Sequence, residues 1–108
     1  MTPEQKLGYP VDERTRFAVR IEVYSERHDG PPRVIWLRTI KTLADCQRHY
    51  IAARDESDLG ASCFGPGHVF DEAGQFVARI SYNGRLWGPE EWTPGQKVVA
   101  EAPGREAA

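Results

Sequence analysis

The chain has 108 residues, of which 40% are hydrophobic, 10% aromatic and 28% charged, and its formal net charge is −2 at pH 7. This composition excludes intrinsic disorder and a coiled coil, and no apolar run approaches the ~18 residues that a membrane span needs. We expect one domain, residues 1–108, which buries roughly 65% of the surface that the unfolded chain exposes.

The sequence also carries signs of its cellular compartment. Its N-terminus lacks the apolar segment of a secretory signal, so we expect a cytoplasmic protein with no membrane partner. Thiols stay reduced in the cytoplasm, so Cys46 and Cys63 are expected to be free, with a bond between them as the alternative. Arginine outnumbers lysine 11 to 3, a bias typical of GC-rich bacterial genomes.

Two strands are predicted in the first half of the chain. Residues 17–24 alternate apolar and polar side chains with the period of a half-buried strand. The face that this strand buries is predicted to carry Phe17, Val19, Ile21 and Val23. Turn residues at 25–32 separate it from a second strand at 33–41, which is rich in branched and aromatic side chains. The second strand alternates poorly, so either both of its faces are covered or Trp36 is exposed.

One amphipathic helix is predicted from about residue 43 to 55. Thr42, followed three residues later by Asp45, is a start similar to a capping box, and Gly60 is the predicted stop. The buried stripe has helical spacing and consists of Leu43, Cys46, Tyr50 and Ala53. Three polar side chains lie off the stripe: Gln47, Arg48 and Arg54. The glycine-rich segment 60–67 is predicted to be a loop between the helix and the next strand.

The second half predicts a three-stranded meander, with strands at roughly 67–71, 75–82 and 85–88. Residues 71–74 favour a type I turn closed by a glycine bulge. Asn83-Gly84 favours a two-residue type I′ hairpin, which pairs Ile80 with Trp87. The helix is then expected to cover Phe70, Phe76, Ile80 and Trp87. The opposite face is expected to carry Val69, Val77 and Leu86 among Arg79 and Ser81.

These elements predict an α+β fold with the order ββαβββ, in which one helix packs on one face of an antiparallel sheet of about five strands. The ordered core is expected to span about 14–95. A flexible N-terminal arm is expected to precede it, and a disordered C-terminal tail to follow it.

The leading functional hypothesis is a small non-catalytic protein-interaction module of unknown biological role, with a protein partner or a second copy as its ligand. Trp92 lies in a segment flanked by Pro and Gly beyond the last strand, and with the second sheet face it would form the mixed apolar patch typical of interfaces. The predicted partner-binding residues are Val69, Val77, Arg79, Leu86 and Trp92. In the alternative, an N-terminal arm with Leu7, Tyr9 and Val11 covers this face within one chain.

A nucleic-acid-binding domain is the first rival hypothesis. Residues 14–54 carry nine basic and four acidic side chains, a balance that favours an anionic partner. The contacts would come from Arg14, Arg16, Arg20, Arg33, Arg38 and Arg48. Because these residues are scattered along the chain, nucleic acid is not the favoured partner.

Two further rivals rest on thiols and imidazoles. A zinc-stapled domain would use the pattern C-x2-H-x13-C-x4-H, formed by Cys46, His49, Cys63 and His68. Cys46 falls on the apolar stripe, where a thiol serves as a small hydrophobe. An enzyme would pair the Cys63 thiolate with His68, but no residue pattern orients that imidazole. We therefore predict no catalytic residue, no metal ligand and no cofactor.

Overall fold

The computed structural model describes residues 2–9 and 12–103, which form a five-stranded antiparallel sheet with one main helix packed against it. The elements are α1 (Pro3–Lys6), β1 (Phe17–Val23), β2 (Arg33–Ile40), α2 (Leu43–Ser57), β3 (Phe64–Asp71), β4 (Phe76–Ile80) and β5 (Leu86–Trp87). The spatial strand order is β2-β1-β3-β4-β5. The predicted α+β fold and its ββαβββ order are confirmed.

Strand β1 lies between β2 and β3 and supplies the middle of the core. Its alternation is the predicted one, and the four apolar side chains assigned to the core are buried. On β2, Ile35 and Leu37 lie on the same side of the sheet and pack against the core, opposite Ile21 and Val19. Trp36 points to the other side and is exposed. The ambiguity of this strand is therefore resolved in favour of an exposed Trp36.

Helix α2 begins as predicted and extends two residues beyond its predicted end at about residue 55. The Thr42 hydroxyl accepts from the Asp45 N–H at 3.1 Å, and the buried Glu4 carboxylate accepts from the Leu43 N–H. Two of the free N–H groups of the first turn are thereby satisfied. The residue that caps the C-terminus of the helix is Asp58, whose φ of 56° is left-handed; it lies two residues before Gly60.

Gln47 corrects the predicted helix surface, because it is buried rather than off the stripe. Its amide nitrogen donates to the carbonyl oxygens of Gly84 (2.9 Å) and Glu101 (3.0 Å). These bonds satisfy polar backbone groups that the core would otherwise isolate. The spacing of apolar residues cannot reveal a buried polar side chain. The buried stripe of α2 is therefore wider than predicted.

The glycine-rich segment 60–67 is not only a loop, since β3 already begins at Phe64. Gly67 pairs with Ile21 beneath the helix. A Cβ atom at Gly67 would lie 2.8 Å from Val19 Cγ1 and 2.9 Å from Tyr50 Cδ1, closer than carbon atoms approach. The missing side chain therefore lets α2 lie close to the sheet.

Two irregularities in the pairing of β3, β4 and β5 place several side chains on the side of the sheet opposite to the predicted one. A bulge lies between the Val69–Ala78 and Phe70–Phe76 pairs, so Phe76 joins Phe70 on the side away from the helix. At the second hairpin, Gly84 N–H donates to the Ser81 carbonyl at 2.8 Å, and Gly84 takes a φ of +89°. This longer turn replaces the predicted two-residue hairpin.

The longer turn shifts the pairing of the last strand by one residue. Ile80 pairs with Leu86, not with Trp87. Leu86 is consequently buried in the core, and Trp87 lies on the opposite side of the sheet beside Arg79. The placement of Leu86 and Val69 on the second face is wrong, because both are fully buried under the helix.

Packing extends beyond the predicted ordered core at both ends. The Tyr9 ring lies 5.4 Å from that of Phe17, and Leu7 also contacts the core, so this arm covers the helix side rather than the opposite face. Val11, and residues 104–108 of the predicted disordered tail, lie outside the described residues. Before them, Ala100 forms a bridge to Leu86. Among the described helices, none has the length and apolarity to cross a membrane.

Candidate functional site

The side of the sheet away from α2 is the candidate site, and we call it the outer face. It presents Ala18, Arg20, Glu22, Val34, Trp36, Arg38, His68, Phe70, Phe76, Arg79 and Trp87. One row of cross-strand partners crosses all five strands in the order Trp36, Arg20, His68, Arg79 and Trp87. Aromatic and cationic groups therefore alternate across the sheet on strands about 4.8 Å apart.

Next to this row, the aromatic rings form a connected cluster. The ring of Phe70 lies 5.8 Å from that of Trp36 and 5.9 Å from that of Phe76, and the Phe76 ring lies 5.5 Å from His68. Much of this cluster is in contact with solvent. The exposed fractions are 41% for Trp36, 38% for Phe76 and 39% for the neighbouring Val34. Exposed large side chains grouped in this way are the mark of an interaction site.

The charge of the outer face is mainly positive. Arg20 forms an ion pair with Glu22 at 3.5 Å, and the Arg38 guanidinium lies over the Trp36 ring at 4.6 Å. Arg79 lies on the other side of His68 from Arg20. Three guanidiniums and one carboxylate give this face a net charge opposite in sign to that of the whole chain.

His68 occupies the centre of the row as a largely neutral imidazole. Burial lowers its pKa below the ordinary value, and the positive charges of Arg20 and Arg79 lower it further, while Glu22 acts in the opposite direction. Its Nδ1 atom is buried and has no hydrogen-bond partner among the described residues. The burial of the ring and, after it, the positive charges of the two arginines favour the neutral form.

The lowered pKa of His68 makes the stability of the protein depend on pH. The unfolded chain binds a proton at His68 near pH 6.5, whereas the folded chain binds it only at lower pH. The free energy of unfolding should therefore fall as the pH drops below about 6.5 and level off below the folded pKa. Urea unfolding at a series of pH values should show this loss.

Other groups of the protein also bind protons in this pH range. Two variants therefore identify the contribution of His68 to the pH dependence of the free energy of unfolding. His68→Gln should flatten the pH dependence below about pH 6.5. His49→Gln, the same substitution at an exposed position of α2, is the matched control. An unaltered pH profile in His68→Gln would contradict a shifted pKa at this site.

The structure distributes the five predicted partner-binding residues over three environments. Val69 and Leu86 are in the core, and Val77 is half-buried and packs against it. Arg79 lies on the outer face. Trp92 is 55% exposed in the segment that follows β5, at the sheet edge opposite to β2. Of the five, Trp92 is exposed, and Arg79 is half-buried on the outer face.

The six arginines of the nucleic-acid hypothesis do not share one surface. Arg20 and Arg38 lie on the outer face, whereas Arg48 is on α2, across the sheet, and forms an ion pair with Asp45 at 2.8 Å. Arg16 donates to the carbonyl oxygens of Glu13 and Thr15. No single basic stripe follows from this arrangement.

The four residues of the zinc pattern are not brought together. Cys46 is a buried residue of α2, His49 is exposed on that helix, and His68 lies on the other side of the sheet. Within residues 2–9 and 12–103, no group of three or more His, Cys, Asp or Glu side chains is arranged to hold a metal ion. The pattern of spacing is therefore not a ligand set in three dimensions.

The thiols are also unsuited to the proposed nucleophile pair. The Cys63 thiol is buried at the start of β3, where it approaches the Ser25 carbonyl at 3.8 Å. His68 lies five residues further along, about 16 Å for an extended strand. For the other thiol, burial raises the pKa of Cys46 far above its ordinary value, and the charges of Glu4 and Asp45 add to this effect. A thiol of this kind is inert.

Sequence reasoning missed the aromatic part of the outer face. Trp36 was recognised as one of two alternatives, but Phe70 and Phe76 were assigned to the helix side. Phe70 and Phe76 do pair across the turn at 71–74, but no feature of the strand alternation predicts the bulge at Val77 that places Phe76 on the outer face. Comparison with known proteins gives no further guidance, because no family model, no curated protein and no solved structure matches this chain.

Proposed function

We propose that this chain is a cytoplasmic, non-catalytic protein-interaction module, and that its outer face binds a partner protein whose surface combines acidic and apolar side chains. The observation that carries this proposal is the cross-strand row of aromatic and cationic residues beside the exposed ring cluster. The two free, buried thiols suit a reducing compartment.

The apolar part of the partner would cover the ring cluster. Trp36 and Phe76 are exposed and already held by contacts with Phe70, so little side-chain entropy is lost when a partner covers them. Burying their exposed area stabilises a complex by about 25 cal/mol per Å² of apolar surface before the costs of association. Aromatic side chains that are fixed in this way are typical of interface hot spots.

The acidic part of the partner follows from charge complementarity. Arg20 and Arg79 flank the neutral His68, and Arg38 lies over Trp36. Guanidinium groups bind carboxylates with two parallel hydrogen bonds, which adds orientation as well as energy. A second cationic surface would be repelled, so the charge of the outer face selects among apolar partners.

The arrangement of charge favours protein over nucleic acid. The rings of the cluster are tilted against one another by 47° rather than spread as separate stacking platforms. Single strands require a cationic groove that follows the phosphates together with ring faces on which bases stack. The outer face has few unpaired cations and a continuous apolar surface.

Selection of binding peptides on the purified protein tests this proposal. Peptides enriched from a displayed random library should carry Asp or Glu beside apolar residues. Their affinity, followed by tryptophan fluorescence, should fall at least about tenfold in Phe76→Ser and in Arg79→Gln. The first variant removes an aromatic ring that contacts the apolar residues of the peptide, and the second removes a guanidinium that binds its carboxylates. The affinity should also fall with added salt.

Arg48→Gln is the matched control, since Arg48 is an exposed arginine on the helix side. Its affinity for the peptides should equal that of the unaltered protein, and circular dichroism should show all three variants folded. Peptides without acidic enrichment, or an equal loss in Arg48→Gln, would contradict the proposal. A fluorescein-labelled oligothymidylate that binds the outer face more tightly than any peptide would replace it with the nucleic-acid function.

A further inference from the structure

Strand β2 forms one edge of the sheet and is the second surface that we consider. It pairs with β1 on one side, and within the described part of the chain no strand pairs with its other side. The pairing with β1 is regular from Arg33 to Leu37. An edge of this kind presents a row of free backbone N–H and C=O groups that can accept another strand.

The two edges of the sheet differ in how they are protected. The edge at β5 has only two residues, and Ala100 covers it through the Leu86 N–H bond to its carbonyl at 2.9 Å. Residues 33–38 of β2 contain neither proline nor lysine, two of the residues that commonly blunt an edge, and their charged residues, Arg33 and Arg38, lie at the two ends of the segment. Only Thr39, with a left-handed φ of 61°, interrupts this strand near its end.

Side chains on both faces of β2 are incompletely covered. Val34 and Trp36 are exposed on the outer face, while Ile35 and Leu37 are half-buried on the helix side. A strand added at this edge would therefore bury apolar surface on both faces as well as pair the backbone. Strand addition gains affinity from the main chain and specificity from such alternate side chains.

We infer that β2 pairs antiparallel with β2 of a second copy of this chain, around a two-fold axis at Trp36. This register sets Trp36 against Trp36 of the second copy, Ile35 against Leu37, and Val34 against Arg38. Apolar groups meet apolar groups along the centre, and no like charges face each other. The inference does not depend on the proposed function, because the pairing of the two β2 strands requires no ligand on the outer face.

Neighbouring registers are less favourable. Centring the pair on Ile35 sets Pro32, which has no N–H, against Arg38. Centring it on Leu37 sets Arg33 against Lys41, and like charges directly opposite are destabilising. The Trp36-centred dimer has one continuous ten-stranded sheet with both helices on the same side, so its two outer faces join into one surface.

The oligomeric state in solution tests this inference. Sedimentation or light scattering over a wide range of concentration should give twice the 12.2 kDa mass of the chain. Trp36→Glu should weaken the dimer by at least about tenfold, because it places two carboxylates opposite each other at the axis. Phe76→Glu is the matched control: an equally exposed aromatic residue on the same face but in β4, it should remain a dimer.

Cysteine cross-linking tests the register. Oxidised Trp36→Cys should form a covalent dimer, since directly opposite residues lie about 5 Å apart, within the range of a disulfide. Val34→Cys should not, because residues 34 of the two copies would be about 13 Å apart. A monomer at all concentrations, an unweakened dimer in folded Trp36→Glu, or cross-linking through residue 34 instead of 36 would overturn the inference. None of these results bears on whether the outer face binds peptides.

Discussion

Leu86→Ala should destabilise the protein by about 2–5 kcal/mol, the cost of removing a large buried aliphatic side chain and leaving a cavity. Leu86 is fully buried and pairs with Ile80 on the side that the helix covers. Its backbone also bonds to Val99 and Ala100, so the residue holds the C-terminal segment against the sheet. Urea unfolding followed by circular dichroism measures the loss.

Trp87→Ala provides the comparison. With the predicted two-residue hairpin, Trp87 would be covered by the helix and Leu86 would lie on the opposite face of the sheet. In the structure, Trp87 is half-buried on the outer face, where its indole N–H donates to the Ser81 hydroxyl at 3.2 Å. Its replacement should cost about 1 kcal/mol, less than that of Leu86 despite the larger side chain. A larger loss in Trp87→Ala than in Leu86→Ala would show that the predicted register is the true one.

Tyr50→Ala should cost about 3–5 kcal/mol, since this buried aromatic residue joins α2 to the sheet. Its ring meets that of Phe64 edge-on at 5.4 Å and covers Gly67, and its hydroxyl donates to the Gly65 carbonyl at 2.8 Å. Burial raises the pKa of Tyr50 well above its ordinary value, which keeps the hydroxyl a donor. The free energy of unfolding in urea is again the measurement.

Two conservative variants separate the hydroxyl from the ring. Tyr50→Phe keeps the ring and should cost about 1–3 kcal/mol, because the Gly65 carbonyl is left buried without a donor. Tyr82→Phe removes a bond of the same kind, from its hydroxyl to the Leu59 carbonyl, at a half-buried position that water can reach. It should cost less than Tyr50→Phe. Equal losses would mean that burial of the Gly65 carbonyl adds nothing.

The elements that local sequence determines are those with a single unambiguous pattern. The alternation in β1, the Thr42 cap of α2 and the Asp71–Gly74 turn are all present as predicted. Each depends on residues within one turn or one strand, whose preferences do not need a distant partner. This was enough to obtain the fold class and the order ββαβββ, but little of the candidate site.

The candidate site depended instead on where the chain inserts an extra residue. The bulge at Val77 and the longer turn that ends at Gly84 each shift the pairing by one position, and in a strand one position exchanges the two faces. Arg79 was placed correctly, whereas Phe70, Phe76 and Leu86 were not. Asn83-Gly84 suits either turn length, so local preference did not choose between them.

The sequence by itself therefore determined the elements and their class, because backbone preference and apolar periodicity are local properties. Tertiary structure alone decided which side of the sheet faces water. Gly84 lies where a side chain would meet Ile51 Cδ1 at 2.7 Å, and Gln47 donates to its carbonyl, so contacts with α2 hold the longer turn in place. That choice buries Leu86 and places Trp87 on the outer face beside Arg79, because neighbouring residues of a strand point to opposite sides of the sheet.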